Sequence, residues 1–347
     1  MNLEFYKEKK ILLTGHTGFK GAWMLVLLKE IGAKVYGMSL PAEVDSLYEQ
    51  IDGATLCEGE AFIDIRDRAA VFRHINFWEP DVIIHMAAQA IVQESYAQPL
   101  YTFQVNVEGA INVLEAVRML QKPTLTLWVT TDKVYKNNDE GVAFVETDPL
   151  GGNDPYAASK AAMEIALESY QQSFLQDSEH LSVVLRAGNV IGGGDNAAYR
   201  LLPDIIRAWE QVQKVIIRNP KSIRPWQHVV EPLFSYLKLG EKVAEGKVDT
   251  AEAFNIAPQK DQAISVEEVM GIAQEYLPKL DWVHEEVKDL GKEAQILKLN
   301  VDKLHSVLPG MKTLTAKEAV RWTLEWYTNK KTDALTKCQQ QIQQYKS

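Results

Sequence analysis

The sequence is poor in three things, and each shortage excludes a class of protein. It has only two cysteines, Cys57 and Cys338, far apart and in no motif. A disulfide framework is therefore not expected, and the usage fits a reducing cytoplasm. No apolar run approaches the roughly 18 residues that a membrane-spanning helix needs. The first residues, MNLEFYKEKKILLTG, are charged and enter an apolar run directly, without a signal-peptide core or cleavage site. Positive charge is in deficit too. The formal net charge of −10 argues against nucleic acid as a partner, though not against a local basic pocket for an anionic small molecule. The seven histidines show no metal-ligand spacing, so no metal is expected.

What the chain does contain is ordinary globular material, 46% apolar and 24% charged over 347 residues, enough for about two domains. The first half alternates short apolar runs with helix-period segments. Runs at 9–15, 33–40, 60–67, 81–88, 125–131 and 182–190 read as strands. Segments 18–31, 67–76, 107–120 and 155–174 read as helices. Near-continuous apolar strands in βα alternation predict an α/β fold, a Rossmann-type doubly wound parallel sheet with helices on both faces. After about residue 190 the pattern changes to a glycine cluster, arginines, prolines and tryptophans. Residues 1–187 with about 226–258 are expected to form the dinucleotide-binding domain. Residues from about 188 to 225 with 259–347 are expected to form a smaller, partly interleaved substrate domain. Helices are expected at 264–277 and 315–328, each opened by Ser or Thr with Glu close behind. The polar tail KCQQQIQQYKS reads as a fraying helix end.

Two motifs carry chemistry. TGHTGFKG places Gly15, Gly18 and Gly21 three apart where the first strand meets the first helix. Such glycines allow a tight turn, close backbone approach to a pyrophosphate, and close packing of helix on sheet. Thr17, Phe19 and Lys20 belong to the same loop, whose helix N-terminus would face phosphates. No acid stands at the end of the second strand before Glu43, so the group that binds the adenosine ribose stays open. No Lys or Arg occurs between Lys34 and Arg66 to hold a 2′-phosphate, which favours NAD over NADP. Asp64 and Ile65, after the third strand, suit the adenine edge.

The second motif is Tyr156 and Lys160, four apart on one helix face. A lysine near a phenol lowers the tyrosine pKa and would make it a base for a hydroxyl proton. YxxxK alone is common by chance; its position downstream of a cofactor loop gives it weight. Thr130, Thr131, Asp132 and Lys133, in TTDKVY, lie at the end of the fifth strand. Ligands bind at the carboxyl ends of parallel strands, so this polar tetrad reads as chemistry rather than as a salt-linked turn.

Together these segments resemble the nucleotide-sugar dehydratases of the extended short-chain dehydrogenase/reductase family, in the branch that uses CDP-glucose. The resemblance runs through GHTGFKGAW (15–23), HMAAQ (85–89), SYAQPL (95–100), NVEG (106–109), TTDKVY (130–135) and ETDPLGGNDPYAASKAAMEI (146–165). It continues through RAGNVIGGGD (186–195), RLLPDIIRAW (200–209) and IRNPKSIRPWQHVVEP (217–232). It implies a 4,6-dehydration with bound NAD. Tyr156 is then the base at C4 with Thr131 assisting, Asp132 the acid for the C6 hydroxyl, and Lys133 the C5 base, where dTDP-sugar relatives carry glutamate. It adds Ala87, Ala88, Gln89 and Asn106 to the cofactor site. It puts Asn189, Arg200, Arg218 and Arg224 around the substrate's pyrophosphate and base, while His228 is either a pocket residue or a structural one. One departure stands out: Gln93 occupies a position where relatives typically carry arginine. The resemblance also implies an enzyme of deoxysugar and surface-polysaccharide synthesis, and the cysteine usage noted above makes a cytoplasmic location the expectation. In such enzymes, helices equivalent to 107–120 and 155–174 pair across a homodimer; dimer and tetramer both stay open. A 4-epimerase would share the glycine loop, Thr131, Tyr156 and Lys160 but would not need Asp132 and Lys133. A non-catalytic redox sensor would have no use for the tyrosine base.

Overall fold

The structure, a computed structural model, describes residues 3–138, 141–258, 263–285 and 297–347. Residues 259–262, where the second stretch of the expected substrate domain begins, lie outside the described residues. A seven-stranded parallel sheet forms the centre. Its strands include β1 (Lys10–Thr14), β2 (Lys34–Ser39), β3 (Gly59–Phe62), β4 (Val82–His85) and β5 (Leu125–Thr131). The spatial order is Ala253–Ile256, Leu181–Ala187, β5, β4, β1, β2, β3. The chain therefore runs outward from β1 to β3, then returns to the other side of β1 at β4. That reversal opens a crevice beyond the carboxyl ends of β1 and β4, the place where ligands bind in such sheets.

Side-chain alternation divides the sheet's apolar residues between two cores. Ile11, Leu13, Val82, Ile84, Leu125, Leu127 and Val129 face one layer of helices. Leu12, Ile83 and Trp128 face the other. All seven residues of β5 are buried, as a central strand covered on both faces requires. Helix α1 (Phe19–Glu30) is buried continuously from Gly21 to Leu28, because it lies between the sheet and the C-terminal helix Ala334–Lys346.

The helix starts have local causes. The side chains of Asp67 and Asp154 accept the N–H groups of Ala70 and Ala157, and Pro155 occupies the first turn behind Asp154. Ser265 with Glu268, and Thr315 with Glu318, form complete capping boxes for helices Val266–Tyr276 and Ala316–Thr328.

Three expectations need correction. The third strand stops at Phe62, because Asp64 turns back to accept the N–H and guanidinium of Arg66. The helix expected at 107–120 runs without a break from Pro99 through a wide turn at Gln104–Glu108 into Gly109–Met119. The tail does not fray: helix Ala334–Lys346 buries Cys338, Ile342 and Tyr345, and Gln341 donates to the Trp322 carbonyl at 2.8 Å. Both cysteines are free. Among the described residues no helix is long and apolar enough to cross a membrane, and no group of three or more His, Cys, Asp or Glu side chains could hold a metal ion.

Candidate active site

A cavity of about 1110 Å³ opens at the crevice. That exceeds the roughly 300–1,000 Å³ of a pocket for one small ligand, so a dinucleotide and a second molecule have room. Its floor is the glycine loop. A Cβ on Gly15 would lie 2.8 Å from the Ala87 nitrogen, and one on Gly21 only 2.1 Å from the Gly15 carbonyl oxygen. A Cβ on Gly18 would meet nothing nearer than 3.4 Å. Gly15 and Gly21 are thus needed for packing, whereas Gly18 leaves the helix N-terminus open to a ligand. No side chain caps that N-terminus, so its first amides are free to bind an anion.

The neighbouring loop is fixed by buried polar contacts. Thr14 Oγ1 accepts the N–H groups of Met86 and Ala87 at 3.0 and 3.1 Å. Asn106 accepts the Gln89 N–H at 2.9 Å and donates to the Gln89 carbonyl and to Ser159 Oγ. Asn106 does not itself line the cavity; it positions Ala87, Ala88 and Gln89, which do. At the far end of β2, Thr17 and Ser39 share a hydroxyl hydrogen bond of 2.6 Å and offer the polar surface that an acid usually provides. Asp64 and Ile65 line the same end. The Arg66 guanidinium holds the Asp64 carboxyl below its usual range.

The opposite wall carries Thr131, Asp132, Lys133, Tyr156 and Lys160, all lining the cavity. Thr131 Oγ1 donates to Asp132 Oδ1 at 3.0 Å. Asp132 Oδ2 is buried with no hydrogen-bond partner. Burial raises the Asp132 pKa, against the pull of Lys133, of the Thr131 hydrogen bond and of Arg224. The carboxyl is thereby biased towards its neutral, donating form. Tyr156 is pushed up to about 12, by burial first, partly offset by the Thr131 hydroxyl. This departs from the expectation that Lys160 lowers the phenol: Lys160 Nζ instead donates to the Val129 carbonyl at 3.4 Å. Burial brings Lys160 down to about 8 and Lys20 down to about 7, the latter helped by Arg200 and Lys160.

Asn189, Arg200, Arg218 and Arg224 line the cavity as well, so the site brings the expected anion-binding residues together. Arg200 is paired with Asp195 at 2.8 Å. His228 is not among the lining residues. It is fully buried with its ring edge-on to Trp23 and Trp322, at 5.7 and 5.5 Å, and burial takes its pKa down to about 3. Its place is therefore structural. Gln93 lines the cavity at the position noted for arginine.

Two neighbours escaped the sequence reading. The Tyr236 hydroxyl lies 3.4 Å from Lys20 Nζ and feels both Tyr156 and Asp132. In EPLFSYLKLG it looks like any core residue of an amphipathic helix. Gly188 leaves room for the acid, since a Cβ there would come within 3.2 Å of Asp132 Oδ2.

The parallel sheet, the glycine loop and the Thr–Tyr–Lys wall define a Rossmann-type enzyme site. A family model described as GDP-mannose 4,6 dehydratase matches residues 12–337, and the chain belongs to that family. A CDP-glucose 4,6-dehydratase from Salmonella typhimurium is 40% identical over 269 residues, covering 76% of this chain and 75% of that one. A dTDP-glucose 4,6-dehydratase from Xanthomonas campestris is 25% identical over 92% of this chain and 93% of its own. Among solved structures, an epimerase from Methanothermobacter thermautotrophicus shares the fold with a TM-score of 0.80 at 21% identity, over 99% of this chain and 96% of that chain.

Proposed function

We propose that this protein is an NAD-dependent 4,6-dehydratase that converts CDP-glucose to CDP-4-keto-6-deoxyglucose. The observation that carries the reading is Asp132: a buried acid with an unpartnered oxygen, beside Thr131 and Tyr156 and open to the cavity. A 4-epimerase has no step that needs it. The 40% identity to a CDP-glucose 4,6-dehydratase supports the same substrate.

When bound, NAD+ supplies the hydride acceptor for C4 and returns the hydride at C6. Gly15, Gly18 and the amides at the start of α1 would hold its pyrophosphate, with Asp64, Ile65 and the Thr17–Ser39 hydroxyl pair towards the adenosine. The absence of Lys and Arg between Lys34 and Arg66 supports NAD over NADP. Tyr156 takes the C4 hydroxyl proton, with Thr131 orienting that hydroxyl. Asp132 protonates the leaving C6 oxygen, and Lys133 is the base at C5. Arg200, Arg218 and Arg224 suit a diphosphate, since guanidinium groups bind phosphate oxygens in pairs. Exposed Leu100, Ile165 and Phe174, on or beside the helices around 99–119 and 155–170, support pairing of two copies there.

The test is incubation with CDP-glucose and NAD+, following product mass, with dTDP-, UDP- and GDP-hexoses in parallel. Loss of one water from CDP-glucose alone, without net NADH, is the expected result. Loss of water from another nucleotide sugar keeps the reaction and overturns the substrate. No mass change in any mixture overturns the reaction.

A further inference from the structure

The proposed dehydration leaves two of the protein's own groups in the wrong protonation state. Tyr156 ends the cycle with one proton more, because the C4 O–H bond breaks and a phenol O–H bond forms. Asp132 ends with one proton fewer, because its proton joins the C6 oxygen as the C6–O bond breaks and water leaves. The proton removed from C5 is returned to C5 when hydride arrives at C6, so the base there is unchanged. One proton must therefore travel from Tyr156 to Asp132 before the next turnover.

The two groups are joined by a third. Thr131 Oγ1 donates to Asp132 Oδ1 at 3.0 Å and also interacts with the Tyr156 hydroxyl, all three residues lining the same cavity. A hydroxyl donates and accepts at once, so it can pass a proton along without holding a charge. All three residues are buried, with exposures of 5%, 2% and 8% for Thr131, Asp132 and Tyr156. Bulk water reaches them only through the cavity that they line. The two carboxyl oxygens also differ: Oδ1 is engaged by Thr131, whereas Oδ2 has no partner and adjoins Gly188.

We propose that Thr131 is a proton relay that carries the C4 hydroxyl proton from Tyr156 to Asp132 and so reloads the acid within the site. The proposal rests on the dehydratase reading. In the transfer the phenol O–H bond breaks, Thr131 Oγ1 gains that proton, and its own proton passes to Asp132 Oδ1. Tyrosinate and a neutral carboxylic acid result, with no proton drawn from solvent. Burial holds the proton on both groups, taking Tyr156 up to about 12 and Asp132 above its usual range, and at Tyr156 the Thr131 hydroxyl and Arg200 partly offset it.

The experiment compares Thr131→Val and Thr131→Ser with wild type, each as the NAD-loaded holoenzyme mixed rapidly with excess CDP-glucose. T131V is expected to form about one product per site in a burst and then to slow by about tenfold or more, as loss of a proton-transfer path does. A small permeant acid such as formic acid should speed the slow phase. T131S, which keeps a hydroxyl, should abolish the burst. The infrared carboxylic C=O band that disappears in D132N should be present in T131V before substrate and lost after one turnover. Equal slowing of first and later turnovers in T131V, with no response to formic acid, overturns the relay and leaves Thr131 as a positioning residue. Failure of wild type to release water from CDP-glucose overturns the underlying reading instead, so the two failures are distinguishable. If T131V does not fold, Thr131→Ala takes its place: a burst whose slow phase responds to formic acid supports the relay, and equal slowing of all turnovers counts against it.

Discussion

Thr130 and Thr131 are adjacent on β5, yet they enter two polar regions of opposite character. Thr130 Oγ1 donates to Glu164 at 2.6 Å, and Glu164 accepts two hydrogen bonds from the Arg186 guanidinium. Arg186 donates in turn to Tyr135, which donates to Asn255. No side-chain oxygen or nitrogen of this network is left unpaired. One residue on, Thr131 enters a cluster in which Asp132 is buried with an oxygen lacking any partner. A satisfied buried network stabilises one arrangement, whereas an unsatisfied one is a standing cost that makes sense where a ligand completes it. The first network holds the end of β5 in place, and the second holds groups ready for chemistry.

Asp132→Asn should separate the two regions most clearly. Activity should fall by about 10²–10⁴-fold, the usual worth of a general acid, while stability is kept or improved. The pH dependence carries a sign. Asp132's folded pKa is raised above its unfolded value, so within that interval the folded state binds more protons. Stability contributed by this group is then lost as pH rises from the unfolded towards the folded pKa. Asparagine lacks the effect, so the melting temperature of D132N relative to wild type should climb between acid and neutral pH. A D132N protein that unfolds would show Asp132 to be scaffold.

The opposite pattern is expected of Arg186→Met. It strands the Glu164 carboxylate, only 4% exposed, and should cost about 3–5 kcal/mol in urea unfolding. Replacing both partners, as E164L with R186M, should recover most of that loss, because an apolar pair leaves no stranded charge. Full stability with lost activity in R186M would place the network in the chemistry and dissolve the distinction.

The sequence made one of these regions far more legible than the other. Thr131, Asp132, Lys133, Tyr156 and Lys160 could be selected because their types and spacing announce chemistry, and they line one cavity. The apolar runs revealed the strands, because a strand covered on both faces must be apolar throughout. Glu164 and Arg186 looked like unremarkable charges, since nothing local says that residues 22 apart meet. His228 stayed undecided for the reverse reason: it sits in a segment rich in suggestive residues, and only the packing of Trp23 and Trp322 against its ring decides for the structural reading. The polar tail misled because half of a helix's glutamines can face solvent while Ile342 and Tyr345 hold it to the core. Long-range packing decides such cases, and composition does not record it.

The glycine loop repeats the comparison on a smaller scale. Gly21→Ala should act as a scaffold change. Its Cβ would collide with backbone, at 2.1 Å from the Gly15 oxygen and 2.7 Å from His16 Cα, and backbone there cannot yield without moving α1 off the sheet. A loss of about 1–3 kcal/mol is expected, as for other overpacked sites. Gly18→Ala should act as a ligand-site change. The backbone there has φ −77°, open to any residue, and the added carbon meets only the Gly15 oxygen at 3.4 Å. Stability should move by no more than about 0.5 kcal/mol, while NAD affinity, measured by calorimetry, drops by about tenfold, because the methyl group occupies the space through which a pyrophosphate approaches the amides. A G18A protein that melts early yet binds NAD normally would place Gly18 with Gly21, as packing, and leave the open helix N-terminus without a ligand to explain it.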